Sequence, residues 1–223
     1  MEKLRGRAFK KKVIEVLAED NFQPKIKELL ENSDSSMVSA LFASLYNTDL
    51  TVRWHAVTAF GILAEHYQDN ITKVRDILRR CIWMLTEESG GIAWGAPEVI
   101  GEIITRLPKL TEEYIELLFS YAYETEDDKD NYLEFIPFRR GVYWGILRVA
   151  RENNEPIKKQ EDILMERIEI EEDPEILIYI FLIGRAIKSD SIINHSKFNE
   201  IRDAIFELYL DESFGKYSIS QAN

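Results

Sequence analysis

The side chains that could carry acid/base or metal chemistry are scattered along this sequence. The three histidines are His55, His66 and His195. His55 and His66 lie eleven residues apart, which places them roughly on one face of a helix. A metal ion or an acid/base pair would need a third partner, and the sequence supplies none beside them. We therefore expect ordinary polar histidines, with no metal site and no catalytic residue.

Carboxylates are concentrated in two places. The segment of residues 124–134 carries acidic side chains that suggest a calcium site, among them Glu126, Asp127, Asp128, Asp130 and Glu134. Their spacing does not fit an EF-hand loop and the central glycine is absent, so we expect a solvated acidic loop. Glu87 and Glu88 could do acid/base work together with Glu98. Acids are also favoured near a helix start, which gives them an ordinary structural role.

Motifs that bind cofactors or activate nucleophiles are missing from the chain. We find no P-loop, no dinucleotide glycine motif and no nucleophile elbow. The single cysteine, Cys81, lies in the apolar segment RRCIWML, which predicts a buried, inert thiol. We therefore predict a protein that is not an enzyme and that holds no cofactor.

The elements that must position these residues are helices, because the apolar residues recur at helical spacing and no strand alternation is convincing. Asp173 followed by Pro174 predicts a capped helix start, and Thr111 before two acids predicts another. An N-terminal helix over 7–19 and a short helix over 24–31 come first. The predicted pairs that follow are 35–46 with 50–68, 71–87 with 92–107, 111–124 with 136–152, and 157–169 with 174–188. A last helix over 197–210 precedes a polar tail.

Four glycines recur at a nearly constant spacing, which indicates a sequence repeat. Gly61, Gly101, Gly145 and Gly184 each lie in an apolar helical segment, at separations of 40, 44 and 39 residues. A fixed period of this size indicates stacked helix pairs. We predict an all-α fold, a right-handed α-solenoid of about eleven helices in one domain over residues 1–223. Its parts are capping helices in 1–34, four repeats in 35–190, and a capping helix with a tail in 191–223.

The first repeat resembles a HEAT repeat. Residues 41–65 carry the matching positions Leu41, Leu45, Asp49, Val52, Arg53, Ala56, Ala59, Phe60, Gly61 and Leu63. The later repeats match mainly in period and apolar spacing. The resemblance implies a stacked, curved rod in which Asp49 and Arg53 form hydrogen bonds between neighbouring repeats. HEAT-like proteins mostly bind other proteins, and some act on DNA bases or on tetrapyrrole pigments, so the resemblance indicates fold better than function.

An aromatic row follows from the helical register. Val52, Ala56 and Phe60 cluster on one face of the helix over 50–68, whereas Trp54, Thr58 and Gly61 fall on the other. Trp54, Trp94, Phe138 and Leu177 each precede a periodic glycine by seven residues. This register predicts a concave binding groove of exposed rings beside accessible glycine backbone. The alternative is that the row packs between repeats. Trp83 and Trp144 fall on core faces and are predicted to be buried.

Polar side chains adjoin this predicted groove. Glu98 lies on the Trp94 stripe, and Arg139 and Arg140 begin the third repeat's second helix, where they could clamp an acidic group. The candidate partner-binding set is Trp54, Thr58, Trp94, Glu98, Phe138, Arg139 and Arg140.

Charge excludes some partners and favours others. The net charge is −12. Residues 1–12 hold six Lys or Arg and one acid, a local net charge of +5, and the rest of the chain carries −17. An acidic body repels phosphate backbones, so nucleic-acid binding is disfavoured. No apolar run approaches the ~18 residues of a membrane span, and the N-terminus lacks a signal-peptide core. We expect a cytoplasmic protein, and the oligomeric state stays open.

Three functions remain possible at this point. The first is a non-catalytic scaffold that binds a partner peptide or domain on the concave face. The second, implied by the HEAT-like resemblance, is a small-molecule or tetrapyrrole site around Trp94, Glu98 and Arg140. The third is a DNA-repair module, which would need a basic concave face.

Overall fold

The structure is a computed structural model that describes residues 6–86, 93–124 and 131–221, with backbone alone for residues 32–35. Within these ranges it contains eleven α-helices, two short 3-10 helices and one β-hairpin. The predicted all-α class is confirmed at this level, since helices dominate. The chain divides into two compact units, Met1–Leu107 and Pro108–Asn223.

The first unit is built from five helices around a central one. Their bounds are α1 Gly6–Leu17, α2 Gln23–Ser44, α3 Leu50–His66, α4 Ile71–Thr86 and α5 Ala96–Arg106. Helix α3 packs against α1, α2 and α5, and α4 packs against α5. Every residue of α3 from His55 to Ala64 is buried, as expected for a helix that is apolar all round. Asp49 caps its start by accepting a hydrogen bond from the Thr51 amide at 2.8 Å, which satisfies one of the free N–H groups there.

The predicted break between residues 31 and 35 is wrong, because helix α2 is continuous there. One helix runs through the polar segment ENSDSS, which resembles a turn in composition only. Ile26, Leu30, Met37 and Leu41 are all buried, at spacings that place them on one helical face. This single apolar stripe anchors both halves of the helix and outweighs the low helix propensity of the residues between them.

The second unit centres on two helices that pack along each other, α7 and α10. Its helices are α6 Thr111–Ser120, α7 Ile136–Glu152, α8 Glu155–Lys158, α9 Glu161–Ile170, α10 Pro174–Ile187 and α11 Asp190–Ile193, with 3-10 helices at Pro108–Leu110 and Ser196–Ile201. The predicted cap of α10 is confirmed, because Asp173 Oδ1 accepts from the Ile176 amide at 3.0 Å. The predicted helix over 157–169 is divided into α8 and α9. The cap predicted at Thr111 is not formed, because Thr111 is already helical and Leu110 precedes it.

The helix predicted over 197–210 is formed only in its first part, as the 3-10 helix Ser196–Ile201, and a β-hairpin follows it. Strand β1 Phe206–Leu210 pairs antiparallel with β2 Ser213–Tyr217, so that Leu210 lies opposite Ser213. Asp211 and Glu212 form the turn with φ of 52° and 64°, the left-handed conformation of a type I′ turn. The turn lacks the glycine that usually signals such hairpins. Its stability comes from distant contacts instead, which local spacing does not reveal.

The hairpin is fixed to α7 by two side chains. The Trp144 Nε1–H group donates a hydrogen bond to the Tyr209 carbonyl at 2.6 Å. Near the turn, Arg151 forms an ion pair with Asp211 at 2.8 Å. Burial of Trp144, which was predicted, is confirmed at 2% exposure.

The periodic glycines are packing positions. All four are buried, so the predicted accessible backbone beside the rings is wrong. A Cβ atom added at Gly184 would lie 2.9 Å from Ile192 Cβ, and one added at Gly61 would lie 2.7 Å from Glu102 Oε1. At Gly61 and Gly184, neighbouring side chains therefore occupy the space that the missing Cβ leaves.

Gly184→Ala tests this packing. We expect it to lower the free energy of unfolding by about 1–3 kcal/mol, because the new methyl group overpacks the α10–α11 contact. At an uncrowded position in a helix, replacing glycine by alanine would instead raise the free energy of unfolding by up to about 1 kcal/mol. Urea unfolding followed by circular dichroism measures the difference, and a stabilised variant would contradict the close contact.

Candidate functional site

A left-handed turn places two candidate residues at the start of α5. Gly95 precedes the helix with φ of 76°, a conformation that favours glycine. A Cβ atom there would also lie 2.8 Å from Leu45 Cδ2. Trp94 stands directly before this turn and Glu98 lies in the first turn of the helix. The turn therefore fixes where both side chains leave the backbone.

Arg53 of α3 lies over the ring of Trp94. Its Cζ is 5.0 Å from the ring centroid, a distance at which a guanidinium is attracted to an aromatic face. Arg53 and Trp94 are both partly exposed, as is Trp54, the next residue of α3. Arg53 thus links α3 to the start of α5 through a ring, whereas the HEAT-like resemblance implied hydrogen bonds between repeats.

Glu98 holds a carboxyl group in an unusual environment. Its Oε2 is buried and accepts no hydrogen bond within the described residues. Burial raises the pKa of Glu98 to about 7, although the Glu98 backbone N–H and the Arg53 charge act in the opposite direction. A carboxyl with this pKa changes its charge near neutral pH, which is typical of functional sites. We call Arg53, Trp54, Trp94 and Glu98 the tryptophan surface.

Cys81 of α4 is electrostatically coupled to this carboxyl. Its side chain is fully buried, as predicted. Burial raises the pKa of the Cys81 thiol to about 12, and the charge of Glu98 contributes to the rise. The thiol is therefore protonated at neutral pH and a weak nucleophile.

Thr58 does not belong to this surface. The sequence places it on a face open to solvent, but it is only 2% exposed, because α5 packs across that face of α3. The same packing engages Glu65, whose carboxylate lies 3.2 Å from Arg106 Nη1, while Arg106 Nε donates to Glu102 at 2.6 Å. These two acids raise the pKa of Arg106. This face of α3 is therefore an internal helix contact.

The remaining predicted residues belong to the second unit, where both arginines form hydrogen bonds, although Arg139 Nε has no hydrogen-bond partner within the described residues. Phe138 is partly exposed and packs edge-on against Phe135, with centroids 4.9 Å apart. Arg140 binds both carboxylate oxygens of Asp173, at 3.0 and 2.8 Å, and also contacts Glu175 at 2.9 Å. Leu177, the fourth member of the predicted row, is 1% exposed.

Arg139 is part of a buried charge network. It is 7% exposed and donates to the carbonyls of Leu133 and Glu134, at 3.0 and 2.8 Å. Glu171 receives two hydrogen bonds from Arg167, at 3.1 and 2.9 Å, and lies 4.0 Å from Arg139. Tyr132 contributes its ring to both guanidinium groups. Arg139 therefore holds the chain before α7 and does not point a free charge at a ligand.

A cavity of about 300 Å³ lies between α2 and α4, and no sequence pattern predicted it. Val38, Phe42 and Ile77 are among its lining residues. Two cations of α4 lie over rings at its edge. Lys73 Nζ is 4.3 Å from the Tyr67 centroid, and Arg80 Cζ is 3.9 Å from the Phe42 centroid.

Two other sequence predictions are resolved by burial and contacts. Trp83, predicted to be in the core, is 60% exposed, because it lies on the side of α4 away from the buried stripe of Val74, Leu78 and Cys81. His55 is buried, with Nδ1 at 2.7 Å from the Leu17 carbonyl and its ring stacked on Phe22.

Elsewhere the described residues add little chemistry. His195 pairs with Glu169 at 2.9 Å, and His66 is exposed. Among the described residues, no group of three His, Cys, Asp or Glu side chains could hold a metal ion. Glu126–Asp130 of the acidic loop and the pair Glu87 and Glu88 lie outside the described ranges, while Glu134 is exposed.

Comparison with known proteins gives no relative. No protein-family model, no curated protein and no solved structure matches this chain. Within the described ranges, none of the helices combines the length and apolar character that a membrane span requires. The site must therefore be interpreted from its own geometry.

Proposed function

We propose that this protein is a non-catalytic binding module that holds a segment of a partner protein on the tryptophan surface. One observation carries the proposal: Arg53 lies on the partly exposed ring of Trp94, beside the Glu98 carboxyl whose Oε2 has no hydrogen bond in the described residues. Partly exposed tryptophan and arginine are the residues that most often dominate protein interfaces. Protonation of Cys81 favours binding over nucleophilic chemistry at this place.

The partner segment is basic, or presents amide donors, beside apolar side chains. Glu98 is partly exposed as a residue although its Oε2 is buried, and a donor that reaches its carboxyl group lowers the cost of the charged form. Residues 13–223 carry a net charge of −17, which attracts a cationic segment over a longer range. The rings of Trp54 and Trp94 supply apolar contact area at low entropic cost.

The HEAT-like resemblance of residues 41–65 supports a protein partner, because this family mostly binds proteins. A small-molecule site around Trp94, Glu98 and Arg140 is less favoured, because Arg140 is engaged by Asp173 and Glu175. The DNA-repair alternative is weakened further by the acidic charge of the chain.

Random peptides displayed on phage and selected on the wild-type protein test the proposal. We expect the enriched peptides to combine Lys or Arg with apolar residues. A Trp54→Ala/Trp94→Ala variant should bind them at least about tenfold more weakly, which corresponds to about 1.4 kcal/mol. The matched control is Trp83→Ala, which removes an exposed ring outside the tryptophan surface and should leave affinity unchanged.

Two results would contradict this function. Enrichment of acidic peptides would show that Glu98 is not the recognition group. Equal affinity of the double variant and the wild type, with unchanged circular dichroism, would show that the rings only pack within the first unit. Affinity should also fall as the pH drops below about 7, because protonated Glu98 no longer attracts a cation.

A further inference from the structure

The cavity between α2 and α4 has a lining that suits one class of ligand. At about 300 Å³ it is at the lower limit of small-molecule sites. This volume corresponds to about ten water molecules, so a ligand of about ten non-hydrogen atoms fills it. Phe42 and Ile77 of the lining are buried and Val38 is partly exposed, which favours an apolar ligand body.

The charges at the edge of the cavity favour an anionic head group. Lys73 and Arg80 both line the cavity, seven residues apart on α4. Among the described residues, the one acid of the lining is Asp76, and it forms an ion pair with Arg79. The lining is therefore locally positive on a protein whose net charge is −12, and this local reversal of sign favours a ligand of negative charge.

Arg80 is arranged to bind a carboxylate. The Cζ of its guanidinium lies 3.9 Å from the Phe42 ring centroid, a distance at which the ring face attracts the cation. A guanidinium carries five N–H donors in its plane, so an arginine that contacts a ring still has donors for a ligand. Within the described residues, the N–H donors of Arg80 form no ion pair with a carboxylate. A planar carboxylate accepts two parallel hydrogen bonds from such an arginine.

We propose that this cavity binds a small amphiphilic carboxylate, whose carboxylate pairs with Arg80 and whose apolar body lies against Phe42, Ile77 and Val38. Lys73, held over the Tyr67 ring at 4.3 Å, adds positive charge at the same rim. The site is separate from the tryptophan surface and goes beyond the proposed function.

Isothermal titration calorimetry with octanoate tests the proposal, with octylamine and octanol as ligands of equal chain length and different charge. We expect saturable 1:1 binding of octanoate, at least about tenfold tighter than binding of either control ligand. Equal binding of octanoate and octylamine would overturn the assignment, as would no heat of binding from octanoate up to about 10 mM.

Three variants locate the site. Arg80→Met keeps the apolar stem and removes the donors, so the affinity for octanoate should fall at least about tenfold. Val38→Trp should block the cavity and abolish binding while Arg80 is retained. Lys10→Met removes one exposed positive charge from α1 and is the matched control, which should bind octanoate like the wild type. Wild-type affinity in both Arg80→Met and Val38→Trp would overturn the proposal.

Discussion

Glu171→Gln is expected to lower the free energy of unfolding by about 3–5 kcal/mol, as happens when one partner of a buried ion pair is removed. Glu171 is 2% exposed. Its Oε2 accepts from Arg167, and its Oε1 accepts from the amides of Glu172 and Asp173, at 3.1 and 3.0 Å. Both oxygens of the Glu171 carboxylate are therefore used as hydrogen-bond acceptors.

A glutamine cannot replace this acceptor set. Its NH₂ group would face either Arg167 or the two backbone amides, so that donor meets donor in a buried place. The charge of Arg167, which is 7% exposed, would also lose its nearest compensation. Urea unfolding of the whole chain, followed by circular dichroism, measures the loss.

The neighbouring Glu172 provides the matched control. It is exposed, and Glu172→Gln should change the free energy of unfolding by no more than about 0.5 kcal/mol. A Glu171→Gln variant as stable as this control would show that the network around Tyr132 contributes no net stability.

Glu98→Gln should instead raise the free energy of unfolding relative to wild type, and only at higher pH. The ordinary pKa of 4.5 is raised to about 7 in the folded protein, chiefly by burial. Between these two values the unfolded chain releases its proton from Glu98 while the folded protein keeps it, so folding stability falls as pH rises. Below pH 4.5 both states hold the proton, and above pH 7 neither does. The cost therefore develops between pH 4.5 and 7 and stays constant above.

The size of this effect follows from the shift. At about 1.4 kcal/mol per unit, and allowing for partial solvent exposure, it amounts to about 2–3 kcal/mol. The stability of Glu98→Gln relative to wild type should thus increase by this amount from pH 4.5 to pH 8. Taking this difference removes the pH-independent cost of burying an amide. The charge that acts on Glu98 is that of Arg53 on α3, and it opposes the effect of burial. The thiol of Cys81 on α4 stays protonated over this pH range and adds no charge.

An exposed acid of the same unit is the control for this measurement. Glu31→Gln on α2 should show the same stability difference from wild type at both pH values. A flat pH dependence for Glu98→Gln as well would mean that water or a neighbouring group reaches the Glu98 carboxyl and restores its ordinary pKa.

The sequence was sufficient where local signals and burial agree. Helix α7 has the predicted bounds, and the cap of α10 at Asp173 is formed as predicted. Apolar spacing also placed Trp144 in the core. The predicted helix pairs cover most of the observed helices, although the HEAT-like arrangement of those pairs stays a prediction.

Local signals failed where distant contacts decide the conformation. The hairpin depends on Trp144 and Arg151, which lie about sixty residues earlier in the chain. Thr58 was placed by helical geometry on an outer face, yet α3 is surrounded by other helices and has no open face along its centre. Spacing gives the direction of a side chain, but only tertiary packing decides whether that direction is open to solvent.

The candidate site was partly predictable for the same reason. Trp94 and Glu98 were identified from their register, whereas the ring contact of Arg53 and the unsatisfied oxygen of Glu98 need three-dimensional packing. The α2–α4 cavity had no local signal, because its lining comes from α2, α4 and the residue that follows α3.

The attachment of the hairpin to α7 has a consequence for synthesis on the ribosome. The Trp144 indole N–H finds its acceptor only when Tyr209 has emerged from the exit tunnel. Residues 1–107 form a compact unit of their own, so this unit can fold while the second is still being translated. During that interval the face of α7 that receives the hairpin is uncovered, and a nascent chain paused before residue 206 exposes it to chaperones.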